Sequence, residues 1–139
     1  MAGDEELALT DPRYPRRRVR VDEHTITLGD APAFYRIAPR AGYGTHPTPV
    51  YVHGIPTSSD DWLPFLVRTG GIAPDLIGFG RSGKGGHLRY SPADLTNYLA
   101  ALLADLDVDE LDLVAHGWGT VPVVRLAAAR FMNASSRSS

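Results

Sequence analysis

The residues that follow the apolar run 110–115 have the order of a turn that presents a catalytic nucleophile. The run ends in His116-Gly-Trp-Gly119, and an apolar stretch typical of a helix, Val121 to Ala129, follows at once. A strand, a sharp turn and a helix in this order form a nucleophile elbow, in which a Ser, Asp or Cys stands exposed above the strand. That position is Gly117, so the sequence predicts an elbow that has no nucleophilic side chain.

Two further blocks of sequence precede this turn. The first, Val50 to Ser59, begins as an apolar strand and enters a His-Gly-Ile-Pro turn. The second, Ile72 to Ser82, begins as another apolar strand and enters a glycine-rich loop after Asp75. Short, nearly continuous apolar runs of this kind are typical of strands buried in a parallel sheet. Both blocks therefore predict a strand that ends in a tight turn, as does the block that ends at the elbow.

The three blocks, in this order, resemble the α/β-hydrolase superfamily, and within it the haloalkane dehalogenase and epoxide hydrolase branch. Dehalogenases carry a similar His-Gly-Asn-Pro-Thr-Ser-Ser stretch, an Ala-Pro-Asp-Leu-Ile-Gly-x-Gly-Arg-Ser loop, and His-Asp-Trp-Gly at the elbow. The resemblance covers about residues 21–129, and three ordered motifs are more specific than any single one. It implies the N-terminal half of an α/β-hydrolase fold: an antiparallel hairpin leading into a mostly parallel sheet with flanking helices, without the later strands and cap.

Two departures from the family pattern fall on positions that its chemistry needs. Ile55 stands where dehalogenases have an Asn that helps to hold the halide, and Gly117 stands where they have the Asp nucleophile. Trp118, the other halide-binding residue by resemblance, is retained, although an aromatic side chain that only fills space above the sheet is an equal interpretation. The resemblance also assigns an oxyanion hole to the backbone N–H groups of Ile55 and Trp118.

The remaining motif residues are expected to support the turns without taking part in chemistry. At the elbow these are His116, which lies below the turn in the resembled family, and Gly119. The others are His53, Gly54, Pro56, Asp75, Gly78 and Gly80.

The hydrolase mechanism also needs a His that acts as a base and an acid that orients it, and both follow the elbow in this superfamily. From Trp118 to Ser139 the sequence has no Asp, Glu or His. The sequence therefore predicts a catalytically inactive hydrolase-like chain. Two alternatives remain open. The chain is the N-terminal half of a hydrolase of haloalkanes, epoxides or esters that a missing segment completes, or it is a non-catalytic module that binds a small apolar ligand or a partner.

Other kinds of site are not expected. His46 and His87 have no second ligand at metal-binding spacing, so we expect neither a metal nor a cofactor. The glycine-rich loop 78–86 lacks the Gly-Lys-Ser/Thr of a phosphate-binding loop. An arginine cluster within residues 13–20 is interpreted as a solvated flank, because a net charge of −2 provides no general attraction to nucleic acid.

Composition predicts an ordinary globular domain. The chain has 139 residues, 43% hydrophobic and 22% charged, and no cysteine, which excludes disulfides and thiolate chemistry. The N-terminus lacks a signal-peptide pattern and no apolar run has membrane-spanning length, so we expect a cytoplasmic protein that binds no membrane. The expected organisation is a polar and basic lead-in at 1–17, a hydrolase-like domain at 18–131, and a disordered Ser/Arg tail at 132–139.

Local patterns place the individual elements. Ser91 and Pro92 predict the start of a helix whose apolar residues recur through Leu106. A short helix through Val67 is expected to be capped by Ser59. The predicted strands are 18–28, 33–38, 50–53, 72–75 and 111–115. Because strands that flank 111–115 in the resembled family are missing, this strand is expected to form an open edge through which the chain self-associates.

Overall fold

The computed structural model describes residues 19–39, 47–83, 91–108 and 110–137 of the chain. Several features of the sequence lie outside these residues: the lead-in 1–17, Arg18, His46, residues 84–86 of the glycine-rich loop, His87 and residues 138–139 of the expected tail.

A five-stranded mixed sheet is the centre of the fold. Its strands are β1 (Asp22–Leu28), β2 (Ala31–Ala38), β3 (Thr48–Val52), β4 (Gly71–Pro74) and β5 (Leu111–Ala115), in the spatial order β1-β2-β4-β3-β5. The strand β2 pairs antiparallel with β1 and β4, whereas β3 pairs parallel with β4 and β5. The expected N-terminal hairpin leading into a mostly parallel sheet with flanking helices is thus confirmed.

Among the described residues, three helices flank the sheet: α1 (Leu63–Thr69), α2 (Pro92–Asp105) and α3 (Thr120–Arg137). The start of α2 is the one predicted, because the Ser91 hydroxyl accepts a hydrogen bond from the Asp94 N–H at 3.1 Å. A 3₁₀ turn, Ser59–Trp62, leads into α1. Its cap is Ser58, and the expectation that Ser59 has this role is wrong: Ser59 is buried and its hydroxyl accepts a hydrogen bond from Arg36 at 2.8 Å.

The last helix is longer than its apolar pattern suggests. The pattern indicated a helix to Ala129, followed by an irregular tail from residue 132, but α3 continues to Arg137. Between Val123 and Arg137 the sequence contains no Gly or Pro, and Ala, Met and Arg are good helix formers. An amphipathic pattern therefore marks only the part of a helix that packs on a core, and the backbone extends the helix beyond that part.

Packing occurs on both faces of the sheet because successive strand residues point to opposite sides. Val50 and Val52 of β3 face α2 and α3, in a core to which Leu99 and Leu126 also belong. Tyr51, between them, faces a smaller cluster under α1 that consists of Tyr51, Trp62, Leu66 and Ala73. Among the described residues, no helix combines the length and the apolar character needed to cross a bilayer.

Candidate functional site

The turns after β3, β4 and β5 lie at the same edge of the sheet. These three strands are parallel neighbours, so their carboxyl ends meet. In open α/β sheets ligands bind outside the carboxyl ends of the strands. The three sequence motifs follow these ends, and the fold therefore brings them together.

The elbow has the backbone geometry of a nucleophile turn. Gly117 has a φ of +58°, in the left-handed region that favours glycine, and it follows His116 in an extended conformation. A Cβ atom at position 117 would have one neighbour within 4 Å, the Gly54 Cα at 3.8 Å. The position therefore has room for a side chain and faces the turn after β3.

The next glycine of the elbow is held much more tightly. A Cβ atom at Gly119 would lie 2.2 Å from the carbonyl oxygen of His53, which is a distance that no pair of such atoms can adopt. Gly119 is buried at the end of the 3₁₀ turn Gly117–Gly119, just before α3, and lies against the end of β3. Glycine at 119 is required for this close approach, whereas glycine at 117 is favoured by its φ alone.

The turn after β3 is closed around one carbonyl group. The Gly54 carbonyl accepts hydrogen bonds from the Thr57 N–H at 3.1 Å, the Thr57 hydroxyl at 2.6 Å and the His53 Nδ1 at 2.6 Å. The peptide bond between Ile55 and Pro56 in this turn is cis. Three donors on one oxygen define the conformation of the turn that faces Gly117.

His53 also connects this turn to the one after β4. Its Nε2 accepts the Leu76 N–H at 2.8 Å, so the proton of the neutral ring is on Nδ1. Burial disfavours the charged imidazolium and lowers the pKa of His53, although Asp75 and the Gly54 carbonyl partly oppose this effect. A neutral imidazole ring with both nitrogens hydrogen-bonded supports the backbone and presents no free nitrogen to a substrate.

Asp75 connects three segments of the chain through its buried carboxylate. Its Oδ1 accepts the Ser59 N–H at 2.7 Å, and its Oδ2 accepts the Arg81 N–H at 2.8 Å. A Cβ atom at Gly80 would lie 2.2 Å from Oδ2, so the glycine-rich loop can wrap around the carboxylate only with glycine at that position, where φ is +54°. Gly78, in the same loop, bonds its N–H to the Gly83 carbonyl at 2.6 Å.

Two hydroxyl groups bind the main chain of Asp75. The Asp75 carbonyl accepts the Ser82 hydroxyl at 2.7 Å and the Tyr98 hydroxyl at 2.8 Å. The Ser82 oxygen in turn accepts the Phe34 N–H of β2 at 3.0 Å. Burial raises the pKa of Tyr98 to about 12, so Tyr98 stays a neutral donor. We name the group formed by His53, Ser59, Asp75, Ser82 and Tyr98 the Asp75 cluster.

The side chains beside the elbow have separate surroundings. His116 is half exposed, lies with its Nε2 3.6 Å from an Asp61 oxygen, and packs against Trp62 at 5.3 Å between ring centroids. Trp118 is 52% exposed. Ile55 is half-buried and packs against the main core. Gly117 itself supplies no atom that could attack a substrate.

The sequence motifs are brought together as expected, but part of the supporting cluster was missed. The apolar pattern assigned Tyr98 to the core alone, and Ser59 was assigned to a helix cap. Their polar roles depend on atoms from distant strands, which no local pattern reveals. The Gly-Arg-Ser end of the loop was the one available signal for Ser82. Within the described residues, no three His, Cys, Asp or Glu side chains are grouped to hold a metal ion.

Comparison with known proteins agrees with this geometry. Residues 49–134 match the family model of the alpha/beta hydrolase fold. A haloalkane dehalogenase of Mesorhizobium japonicum is 46% identical over 88 residues, which cover 60% of this chain and 28% of that protein. An epoxide hydrolase of Siraitia grosvenorii is 34% identical over 87 residues, covering 58% and 28% respectively.

Solved structures show the same partial match. The crystal structure of a haloalkane dehalogenase loop variant from Bradyrhizobium elkanii superposes with a TM-score of 0.69 at 36% identity. The superposition covers 79% of this chain and 36% of that one. The chain therefore spans about a third of the length of the proteins that it matches.

Proposed function

Because the chain belongs to the α/β-hydrolase fold family, in its haloalkane dehalogenase and epoxide hydrolase-like branch, we propose that it is a non-catalytic member of that family. The observation that carries this proposal is Gly117, which keeps the left-handed backbone of the elbow but has no nucleophilic atom. Backbone N–H groups of Ile55 and Trp118 could stabilise a developing negative charge, yet they cannot form a bond to a substrate.

The other residues near the elbow support the same proposal. His53 uses both ring nitrogens on the backbone, on the Gly54 carbonyl and the Leu76 N–H, and His116 packs against Trp62 beside Asp61. No acid or His follows Trp118 among the 139 residues. A further segment that supplied a base would still find no nucleophile at position 117, so we favour the non-catalytic interpretation over a hydrolase assembled from two parts.

A substrate panel tests the proposal directly. The purified chain is incubated with an activated ester, a terminal epoxide and a bromoalkane, and acid release is followed with a pH indicator. A catalytically active haloalkane dehalogenase serves as the positive control. We expect no saturable turnover with any substrate. Turnover that saturates and persists through a second purification would overturn the proposal.

The variant Gly117→Asp tests whether the nucleophile at position 117 is the only catalytic group that the chain lacks. Its carboxylate could attack the halogen-bearing carbon of a bromoalkane once, so that a C–O bond forms, the C–Br bond breaks and bromide leaves. We expect at most one alkyl group per chain, detected by mass spectrometry, because no base activates water to hydrolyse the ester. Repeated turnover by this variant would show that the chain contains a base. Gly117→Asn is the matched control that cannot be alkylated in this way.

The exposure of Trp118 favours a second candidate, a site that binds a small apolar ligand without turnover. The indole is 52% exposed beside a position that has room for a further group. Titration calorimetry with a bromoalkane should then give a heat of binding that Trp118→Ala removes. The same heat in both proteins would contradict a role for Trp118, and no heat in either would contradict the site.

Two further expectations belong to the proposal. We infer that the chain self-associates through β5, which is at an edge of the sheet among the described residues. Light scattering during size-exclusion chromatography at micromolar concentration tests this. A cytoplasmic location, expected from the sequence, stays a prediction that fractionation of cells expressing the tagged chain would test.

A further inference from the structure

Polar contacts extend from the Asp75 carboxylate in two directions. In one direction Oδ1 accepts the Ser59 N–H at 2.7 Å, and the Ser59 hydroxyl accepts a hydrogen bond from Arg36 Nη1 at 2.8 Å. In the other direction Oδ2 accepts the Arg81 N–H at 2.8 Å. Both series of contacts therefore reach an arginine, Arg36 in β2 and Arg81 in the glycine-rich loop.

The side chains of the two arginines meet at one carboxylate, that of Glu23 in β1. Glu23 Oε2 accepts a hydrogen bond from Arg81 Nη1 at 2.9 Å, and Glu23 Oε1 lies 3.6 Å from Arg36 Nη2. Glu23 is directly opposite Arg36 in the antiparallel register of β1 and β2, where side chains of opposite charge attract each other. The contacts thus close into a ring of five residues, which we name the Glu23 ring: Asp75, Ser59, Arg36, Glu23 and Arg81.

An aromatic side chain favours the approach of the two guanidinium groups. The Arg36 Cζ lies 5.4 Å from the centroid of the Phe34 ring, and the Arg81 Cζ lies 4.9 Å from it. An aromatic face attracts a cation within about 6 Å of its centroid. Phe34 therefore attracts two like charges to one place, and Glu23 provides a carboxylate that both of them contact.

Burial makes Arg36 the sensitive member of the Glu23 ring. Its side chain is 5% exposed, and its Nε has no hydrogen-bond partner among the described residues. Its charge is compensated at the Nη atoms by Glu23 and by Asp60, whose Oδ1 lies 2.5 Å from Nη1. Removal of one partner from a buried ion pair is costly because it leaves a poorly compensated charge. Loss of the Glu23 charge should therefore displace the Arg36 guanidinium group, although Glu23 itself is 52% exposed.

We propose that Glu23 is a positioning residue that couples the N-terminal hairpin to the turns at the candidate site. It fixes the side chains of Arg36 and Arg81, and through them it keeps the N–H groups of Ser59 and Arg81 on the Asp75 carboxylate. These N–H groups belong to the segment between β3 and α1 and to the glycine-rich loop, so a change at Glu23 reaches both segments. The coupling is a property of the scaffold and holds whether or not the chain is catalytic.

Amide hydrogen exchange followed by NMR tests the coupling at the two N–H groups themselves. In Glu23→Gln the side chain keeps its size and loses its charge. We expect the N–H groups of Ser59 and Arg81 to exchange about three- to tenfold faster than in the parent chain, as for residues that share one network. The reference is the Gly70 N–H, which bonds to the Leu66 carbonyl at 2.9 Å outside the ring and should exchange at an unchanged rate.

Asp22→Asn is the matched control for the removal of a carboxylate charge from β1. Asp22 is the neighbour of Glu23 in the strand, and it forms an ion pair at 2.9 Å with Arg20, whose side chain is exposed. This pair is not part of the Glu23 ring. We therefore expect neither of the two monitored N–H groups to change its exchange rate in this control.

Asp60→Asn separates the two directions of the ring. It removes the other carboxylate that contacts Arg36 and leaves the contact between Glu23 and Arg81 in place. We expect faster exchange at the Ser59 N–H and an unchanged rate at the Arg81 N–H. Of these charge-removing variants, Glu23→Gln is expected to be the one that acts on both N–H groups.

Salt provides a second measurement, which needs no substitution. Glu23 and Arg81 are both more than half exposed, so dissolved ions can screen their contact. The screening length falls from about 10 Å at 0.1 M ionic strength to about 3 Å at 1 M. We expect the higher ionic strength to accelerate exchange at Ser59 and Arg81 in the parent chain, and to have a smaller effect in Glu23→Gln.

The outcomes decide between a coupled ring and separate contacts. Selective acceleration at Ser59 and Arg81 in Glu23→Gln, with a weaker response to salt, supports the proposal. No acceleration, acceleration at one N–H alone, or an equal acceleration at Gly70 overturns it. The same acceleration in Asp22→Asn, or an equal response of both proteins to salt, overturns it as well. Hydrolytic turnover by the chain would overturn the proposed function and leave this coupling unaffected.

Discussion

The Asp75 cluster and the elbow lie at the same end of the sheet, yet the cluster keeps its polar side chains and the elbow has none at its central position. In the cluster each polar side chain has a hydrogen-bond partner, and Asp75 alone connects β4, the turn before α1 and the glycine-rich loop. At the elbow the backbone geometry is complete, but position 117 has no side chain. The cluster contributes to folding, whereas a nucleophile would contribute to chemistry alone. The fold therefore depends on the Asp75 cluster and not on the identity of a side chain at position 117.

Removal of the Asp75 carboxylate should have the largest effect. Asp75→Ala removes the acceptor of the buried Ser59 N–H and of the partly buried Arg81 N–H, and an unmet donor in a buried site costs about 1–3 kcal/mol. We therefore expect a loss of about 2–5 kcal/mol in the free energy of unfolding, measured with urea. The control Asp112→Ala removes an exposed carboxylate and should change it by less than about 0.5 kcal/mol. Equal losses of unfolding free energy in Asp75→Ala and Asp112→Ala would contradict a stabilising role of the Asp75 carboxylate.

Substitution of Gly119 tests the part of the elbow that is packed. In Gly119→Ala the new methyl group meets the His53 carbonyl oxygen, so the end of β3 or the start of α3 must move. Overpacking of this kind costs about 1–3 kcal/mol, and we expect the upper part of that range because the obstacle is backbone. Thermal and urea unfolding measure it. A variant as stable as the parent chain would show that α3 can shift away from His53 without a measurable loss of stability.

Substitution of Gly117 should cost less, although the two glycines are two residues apart. A Cβ atom at 117 meets open space, so the penalty of Gly117→Ala comes from its φ of +58°, about 1–2 kcal/mol. Gly117→Asn should lose less than Gly117→Ala, since Asn tolerates this conformation better. The order Gly119→Ala, Gly117→Ala, Gly117→Asn is the measurable result, and a reversed order would contradict the geometry.

The smallest expected effect is a pH dependence from His53. Burial lowers its folded pKa below the usual 6.5, so the unfolded chain takes up the proton first as the pH falls. Stability from this group is complete above about pH 6.5 and declines as the pH falls from there towards the folded pKa. Urea unfolding of His53→Gln between pH 8 and 5 should show a shallower decline. A slope in His53→Gln that equals that of the parent chain would contradict this role of His53.

Local chemistry explains which features could be predicted from the sequence. Ser91 and Pro92 mark the start of α2 because a cap and a Pro act within one helical turn. The empty elbow followed from the identity of Gly117 within its motif. The role of Ser59 could not be predicted, because its partner Arg36 is 23 residues away and meets it only in the folded chain.

The placement of the two tryptophans gives the molecule a separate optical label for each of the contrasted regions. Trp62 is 7% exposed, stacks on Tyr51 at 5.0 Å, and closes the 3₁₀ turn that Asp75 anchors. Trp118 is 52% exposed on the elbow. Indole emission moves to shorter wavelengths in an apolar environment, and aqueous iodide quenches exposed rings selectively. In a single fluorescence spectrum, the shorter-wavelength emission that iodide does not quench therefore reports Trp62 beside the Asp75 cluster. The longer-wavelength emission that iodide quenches reports Trp118 at the elbow.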